Sequence, residues 1–371
     1  MTFVKNTWYA AAWSEEIGHE LFTRVLLNEA VLFYRKSDGA VVALRDRCPH
    51  RIVPLSLGKL IRDDVECVYH GLRFDCTGRC VENPNGNGAI PAALAVRAYP
   101  VVERSNIVWI WMGDPDLADA DSLPDYPWNS DNTRYAETHG TLKLGANYLL
   151  VIDNLMDLRH TAFLHSTALE PREHARLPLH VSEENGRIWS RIFSPSSKPP
   201  PFFAVAKNMT HPVDHWQEIR WDLPGAVIIF YGVTDPGMPR EHGLGTYNLS
   251  LVTPETDKTT HYLWGTARDF DLQDIKLTQA VNAGSKWAFE NEDRPVLEAQ
   301  QRAAGDRDVM DCDPVLISND TAPVRVRREI QRRIRAEDTA NAARPEEPLP
   351  GGAQGVGGER LSVASSGAQP Q

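Results

Sequence analysis

The sequence predicts an α+β protein: an all-β N-terminal domain followed by a domain that mixes antiparallel strands with helices. Three observations carry this. Up to about residue 115 the chain is built of short runs rich in β-branched and aromatic residues, as at 30–35 and 41–45, which flank the turn Lys36-Ser37-Asp38-Gly39. Beyond residue 131, strand-like runs (188–192, 226–233, 259–266) are interspersed with an apolar helical stretch at 149–156 and a long acid-rich one at about 272–302. Two Cys/His pairs also sit where strands of the first part end, each opening a loop; Pro49 and Gly71 favour tight turns beside them.

A chain of 371 residues with 42% hydrophobic content has room for two cores. The boundaries read as 1–115 for the first domain, a Pro- and Asp-rich linker at 116–131, 132–336 for the second domain, and a tail at 337–371. The tail is rich in Pro, Gly, Ala, Ser and Gln and is expected to be disordered. Ahead of it, residues 324–335 form a basic amphipathic helix, with Arg325, Arg327, Arg328, Arg332, Arg333 and Arg335 around Val326, Ile330 and Ile334. Its charges read as a solvated face. The net charge of −11 argues against nucleic-acid binding. The N-terminus lacks the apolar core of a signal peptide, and runs such as 226–231 are too short to span a membrane, so a soluble, cytoplasmic protein is expected. Of five Cys, Cys76 and Cys80 flank a turn at Thr77-Gly78 and are expected to stay free thiols in a reducing compartment.

The chemistry concentrates in two motifs. Cys48-Pro49-His50 and Cys67-Val68-Tyr69-His70 each offer one thiolate and one imidazole. A [2Fe–2S] cluster with two Cys on one iron and two His on the other takes such a set, and the neutral imidazoles raise its potential. Structural zinc also binds Cys₂His₂, but its half-sites usually pair like with like. The second motif reads Asn154, Asp157, His160 and His165 in an otherwise apolar segment. Two His and a carboxylate with open positions suit a mononuclear non-heme iron that activates O₂. A separation of five residues is wrong for one ideal helical face, so a bend or end after His160 is required. Asp157 and Asn154 would share a stripe with His160. The third ligand must come from elsewhere; Glu290, Glu292 and Asp293 are all available on the acid-rich helix, which Pro295 should kink. Other histidines, such as His19, His139, His174 and His242, lie in polar surroundings and point to nothing.

Together the motifs resemble the oxygenase component of Rieske non-heme iron oxygenases, in the branch of vanillate and dicamba O-demethylases and toluenesulfonate methyl-monooxygenase. The likeness runs to about residue 336 and includes Asn6-Thr7-Trp8-Tyr9-Ala10, Tyr69-His70-Gly71-Leu72 and Trp109-Ile110-Trp111. It implies an N-terminal Rieske domain and a helix-grip catalytic domain. Cys48, His50, Cys67 and His70 would hold the cluster, and His160, His165 and Asp293 the iron. Asp157 would bridge the two centres across a head-to-tail homotrimer, assisted by Asn154. The partners implied are O₂, a reductase drawing on NAD(P)H, and a methoxy- or methyl-substituted aromatic acid. Ile228, Phe230, Trp264 and Trp287 are candidate pocket residues; the polar positions by which dicamba demethylase holds its substrate fall on Ile229 and Ser250. Ring dihydroxylation uses the same two centres and stands as the second enzymatic reading, with a non-catalytic electron carrier as a third.

Overall fold

The computed structural model describes residues 3–165 and 172–343. Its N-terminal part is all β. Strand β1 (Trp8–Trp13) is followed by β2 (Phe22–Leu26), β3 (Glu29–Arg35) and β4 (Val41–Arg45), then by the short strands β5 (Lys59–Ile61), β6 (Asp64–Glu66), β7 (Arg73–Phe74) and β8 (Cys80–Glu82). After β9 (Ala98–Tyr99), β10 (Val101–Arg104) and β11 (Ile107–Trp111), three sheets are complete, ordered β1-β11-β10, β2-β3-β4-β9 and β5-β6-β7-β8. The small β5–β8 sheet carries the second Cys/His loop, between β6 and β7, and β4 leads into the first. Cys76 and Cys80 are free thiols on either side of the turn at Gly78, where φ is +80°.

The second part is built on one seven-stranded antiparallel sheet in the order β12-β18-β17-β16-β15-β14-β13. The strands are β12 (Ala136–Leu144), β13 (His180–Glu184), β14 (Arg187–Ser197), β15 (Val213–Asp222), β16 (Ala226–Thr234), β17 (Leu244–Pro254) and β18 (Thr260–Arg268). From β13 to β18 it is a meander, each strand pairing with the next, as short connections allow. Side chains alternate between its faces. On one face Ala226, Ile228, Leu249, Leu251 and Leu263 meet Trp8, Trp13, Trp109 and Trp111 of the N-terminal sheet. The other face receives the helices: α1 (Tyr148–Met156), α2 (Thr161–Leu164), α3 (Pro201–Ala206), α4 (Ile275–Trp287), α5 (Arg294–Ala304) and α6 (Thr321–Ala343).

The two parts are joined by polar as well as apolar contacts. Thr253 Oγ1 donates to Ala10 O (2.8 Å), and Leu27 N–H donates to Pro254 O (2.9 Å). The expected linker is an ordered part of this junction: Leu123, Tyr126 and Asn129 are buried and Trp128 stacks on Tyr247. None of the helices among the described residues is long and apolar enough to cross a membrane.

Two expectations about the C-terminus change. Helix α6 runs on to Ala343, so 337–343 is helical, and the Glu337 carboxylate accepts the N–H groups of Lys5 and Asn6 (both 2.8 Å). The rest of the expected disordered tail, 344–371, lies outside the described residues. The basic face of α6 is also not uniformly solvated. Val326 and Ile330 are buried against the core, and Arg327 lies between them in sequence, turned inward. Its Nε and Nη2 donate to Asp153 of α1 (2.6–2.9 Å) and its Nη1 to both oxygens of Asp308 (2.8 and 3.0 Å). A guanidinium fork matches two carboxylates in this way with little loss of side-chain freedom. We predict that Arg327→Ala, which leaves the half-buried Asp153 and Asp308 without their cation, destabilises the fold by roughly 1–3 kcal/mol. Calorimetry of the metal-loaded protein should show Tm falling by about 5 °C.

Candidate active site

The two Cys/His loops share one backbone design. In the first, Cys48 N–H bonds Val53 O and Ile52 N–H bonds Cys48 O (2.8 and 2.9 Å). In the second, Cys67 N–H bonds Leu72 O and Gly71 N–H bonds Cys67 O (2.8 and 3.0 Å). Each turn needs its fifth residue in the left-handed region: Gly71 takes φ +69° freely, whereas Ile52 takes +66° despite its branched side chain. Cys48 and Cys67 are buried, and the imidazoles of His50 and His70 face each other with centroids 4.6 Å apart. Burial pushes the Cys48 thiol up to about 11, and the adjacent Cys67 adds to the rise. Two neighbouring buried thiols gain from a shared metal that stabilises the thiolates. Three Cys/His/Asp/Glu ligand atoms within 4.8 Å of one another occur, among the described residues, only at His160, His165 and Asp293. The Cys/His quartet offers two thiols and two imidazoles from two loops, a donor set that a [2Fe–2S] cluster with two ligands on each iron would take.

The iron-type site forms where two helical segments break. Asn147 caps α1, its Oδ1 accepting Leu149 N–H (2.9 Å), and the helix runs to Met156. It stops at Asp157, whose ψ of 95° is not helical and whose carboxylate accepts Arg159 N–H instead (2.9 Å). A short polar side chain bonding its local backbone is a standard competitor of helix continuation. The break thus lies before His160, not after it, and Asp157 does not share a helical stripe with His160. The single turn α2 then carries His160 at its start and His165 at its end, with rings 5.1 Å apart and inclined by 75°.

The carboxylate arrives from the acid-rich helix. There α4 and α5 are joined by a π-helical segment, Ala288–Asp293, directly ahead of Pro295. The wide turn accommodates the missing proline N–H without a break in the rod. It turns Asp293 inward, where it is buried; its Oδ1 lies 3.2 Å from His165 Nε2 and 3.7 Å from His160 Nε2. Both imidazoles therefore present Nε2 to one point. Their Nδ1 atoms are occupied: His160 Nδ1 donates to Asp157 O (2.5 Å) and His165 Nδ1 to the Glu292 carboxylate (2.6 Å). Partners on the far nitrogen fix tautomer and ring orientation, as metal-binding histidines require. Asn154 Nδ2 donates to Asp293 Oδ1 (3.2 Å), a link between α1 and the carboxylate. Burial holds His160 below the usual imidazole range. Burial also acts on His165, but Asp293 and Glu292 hold it above that range.

Of the three acids open on sequence, Asp293 reaches the imidazoles, Glu292 orients one of them, and Glu290 points to Lys286. The role of Glu292 had no signal in the sequence beyond its place beside Asp293. The site opens into a cavity of about 410 Å³ on the helical face of the sheet. It is lined by Leu155, Gln217, Ile219, Ile229, Tyr231 and Asn248, among others. None of the four expected pocket residues is there. Ile228 and Phe230 alternate onto the opposite face, Trp264 packs on Phe289, and Trp287 is exposed. Ile229 does line the cavity, while the hydroxyl of Ser250 pairs with that of Tyr262 (2.9 Å).

Residues 7–100 match the family model for the Rieske [2Fe-2S] domain, and 144–336 match that for the vanillate O-demethylase oxygenase C-terminal domain. The chain belongs to the Rieske oxygenases of the vanillate O-demethylase type. It is 39% identical to the dicamba O-demethylase oxygenase component of Stenotrophomonas maltophilia, over 90% of this chain and 98% of that one. Identity to the chloroacetanilide N-alkylformylase oxygenase component of Rhizorhabdus wittichii is 38%, over 90% and 97%. A crystal structure of dicamba monooxygenase with non-heme iron and dicamba superposes with TM-score 0.79 at 37% identity, covering 92% of this chain and all of that one. The α+β architecture expected from sequence, a Rieske domain followed by a sheet-and-helix catalytic domain, is that of this family.

If His160, His165 and Asp293 hold the iron, His160→Ala and Asp293→Ala should abolish mononuclear iron in metal analysis and leave the cluster's visible absorption intact. Cys48→Ser should do the reverse. Glu292→Gln should weaken iron affinity roughly 10–100-fold by loosening His165.

Proposed function

We propose that this chain is the terminal oxygenase of a multicomponent monooxygenase. With O₂ and electrons drawn from NAD(P)H through a separate reductase, it hydroxylates a methoxy or methyl carbon of an aromatic compound. The observation that carries this reading is the two-His, one-carboxylate set at the floor of an apolar cavity, on a chain that also bears a Rieske domain. When bound, the cluster supplies single electrons and the mononuclear iron activates O₂. The protein's own residues do the rest. Cys48, His50, Cys67 and His70 hold the cluster at the surface of the N-terminal part. His160, His165 and Asp293 hold the iron, and Asp157 O and Glu292 occupy the two Nδ1 atoms, so that each ring is aimed with Nε2 toward the metal position.

The cavity walls orient the substrate and exclude water. Hydroxylation of a methoxy carbon gives a hemiacetal that loses formaldehyde, so O-demethylation and methyl hydroxylation are one chemistry on two substrates. Ring dihydroxylation is the competing outcome; the match to the O-demethylase C-terminal domain favours the first.

The cluster and the iron occupy different parts of the chain, and we place their electron contact across a head-to-tail homotrimer in the cytoplasm. Asp157 is the junction: its carbonyl holds His160, and its carboxylate, which burial raises above the usual range, is poised to meet His70 or His50 of the partner subunit. Asp157→Asn should lower NADH-driven turnover at least roughly tenfold while cluster and iron contents stay at wild-type levels. Unchanged turnover would remove Asp157 from the electron path. The reaction itself is tested by formaldehyde release from methoxy-substituted aromatics with a surrogate reductase and NADH. Formaldehyde in step with NADH use is the expected result, whereas diol products would favour ring dihydroxylation.

A further inference from the structure

We infer that the cavity is built for an uncharged aromatic substrate, held through a neutral hydrogen-bonding group by Asn248 and Gln217. This rests on the oxygenase reading of the same site, and departs from the aromatic acid that the family resemblance implies.

The charge inventory of the walls points this way. Among the described residues no Lys or Arg lines the cavity, and residues 166–171, which lie outside them, contain none either. Arg220, on the strand that supplies Gln217 and Ile219, is turned to the other face and donates to Asp222 (2.8 Å). The ionisable groups in the wall besides the two histidines and Tyr231 are acids, Glu292 and Asp293. Their two carboxylates would match a divalent ion at His160, His165 and Asp293, leaving no net positive charge to attract an anion. A carboxylate taken from water into such a pocket without a cation costs several kcal/mol, whereas a hydrogen-bonded neutral polar group costs far less.

The polar groups that are present suit a neutral ligand. Asn248, on β17, sits in register between Ile229 of β16 and Thr266 of β18, all three on the cavity wall. Its Oδ1 is buried and has no hydrogen-bond partner. A buried orphan acceptor in a cavity wall calls for a donor from a ligand, and a carboxamide offers both N–H donors and a carbonyl acceptor. Gln217 enters the same wall from β15, 4% exposed, and its Nε2 has only a long contact to Thr161 Oγ1 (3.5 Å). Between these two amides the wall is Ile229 and Tyr231. A carboxamide, anilide or phenol on the ring can exchange hydrogen bonds with Asn248 and Gln217, while a carboxylate only accepts and would face the wall's acids.

The test uses the wild-type protein loaded with cluster and iron and matched pairs of methoxybenzamides and methoxybenzoates. Dissociation constants come from calorimetry, and formaldehyde is followed with a surrogate reductase and NADH. The amides should bind at least roughly tenfold more tightly than the corresponding acids. Asn248→Leu should erase that preference without changing cluster absorption or iron content, and Ile229→Arg should shift it toward the acids. Equal or tighter binding of the benzoates, a preference unmoved in Asn248→Leu, or failure of every amide to bind would overturn the inference. Tighter amide binding with no formaldehyde and no hydroxylated product from any compound would instead overturn the oxygenase reading and leave the neutral-ligand site standing.

Discussion

Everything at the candidate active site depends on one geometric constraint: two imidazoles from one segment and a carboxylate from another, far along the chain, must aim at a single point. The segments are tied together by charge and packing at several places. Arg327 of α6 clamps Asp153 of α1, Asn154 on the next position bonds Asp293, and Gln301 of α5 accepts the N–H of Asn147 at the start of α1 (2.8 Å). Helix α1, which leads into the turn that presents the imidazoles, is thus gripped at its cap and along its second half. A buried guanidinium between two carboxylates is no great source of net stability, but it has only one good geometry, and that geometry sets where α1 lies.

The seven-stranded sheet divides the labour between its faces. One face is spent on attachment, with tryptophans of β1 and β11 packed against small and aliphatic side chains of β16 to β18. The other carries the helices and the cavity. A strand such as β16 therefore has no polar face: Ile228 and Ile229 are neighbours in sequence, one in the junction with the N-terminal part and the other in the cavity wall.

That doubly buried strand explains which parts of the site can be read from sequence. Candidate metal ligands are chemically distinctive and cluster in short segments, so Cys48, His50, Cys67, His70, His160 and His165 stand out. Cavity residues are ordinary apolar and amide side chains. Their phase along β16 is invisible when both faces are hydrophobic, which is why Ile228 and Phe230 look as suitable as Ile229 and Tyr231. Trp264 and Trp287 look alike in sequence, yet one is buried and the other exposed. The six arginines of α6 are equally alike; only Asp153 and Asp308, remote in sequence, single out Arg327. The break at Asp157 was legible as a need, since spacing of five cannot share one helical face, but its position was set by a local side-chain hydrogen bond.

The wide turn at Ala288–Asp293 bears on how this helix can change length over time. It holds one residue more than regular winding would, so the stretches on either side are out of phase by about 100°. Removing a single residue there would wind the backbone more regularly, still without a donor at Pro295, and would turn one flank by about 100° against the other. The same deletion would swing Asp293 out of the cavity. The irregular winding and the inward placement of Asp293 therefore come together.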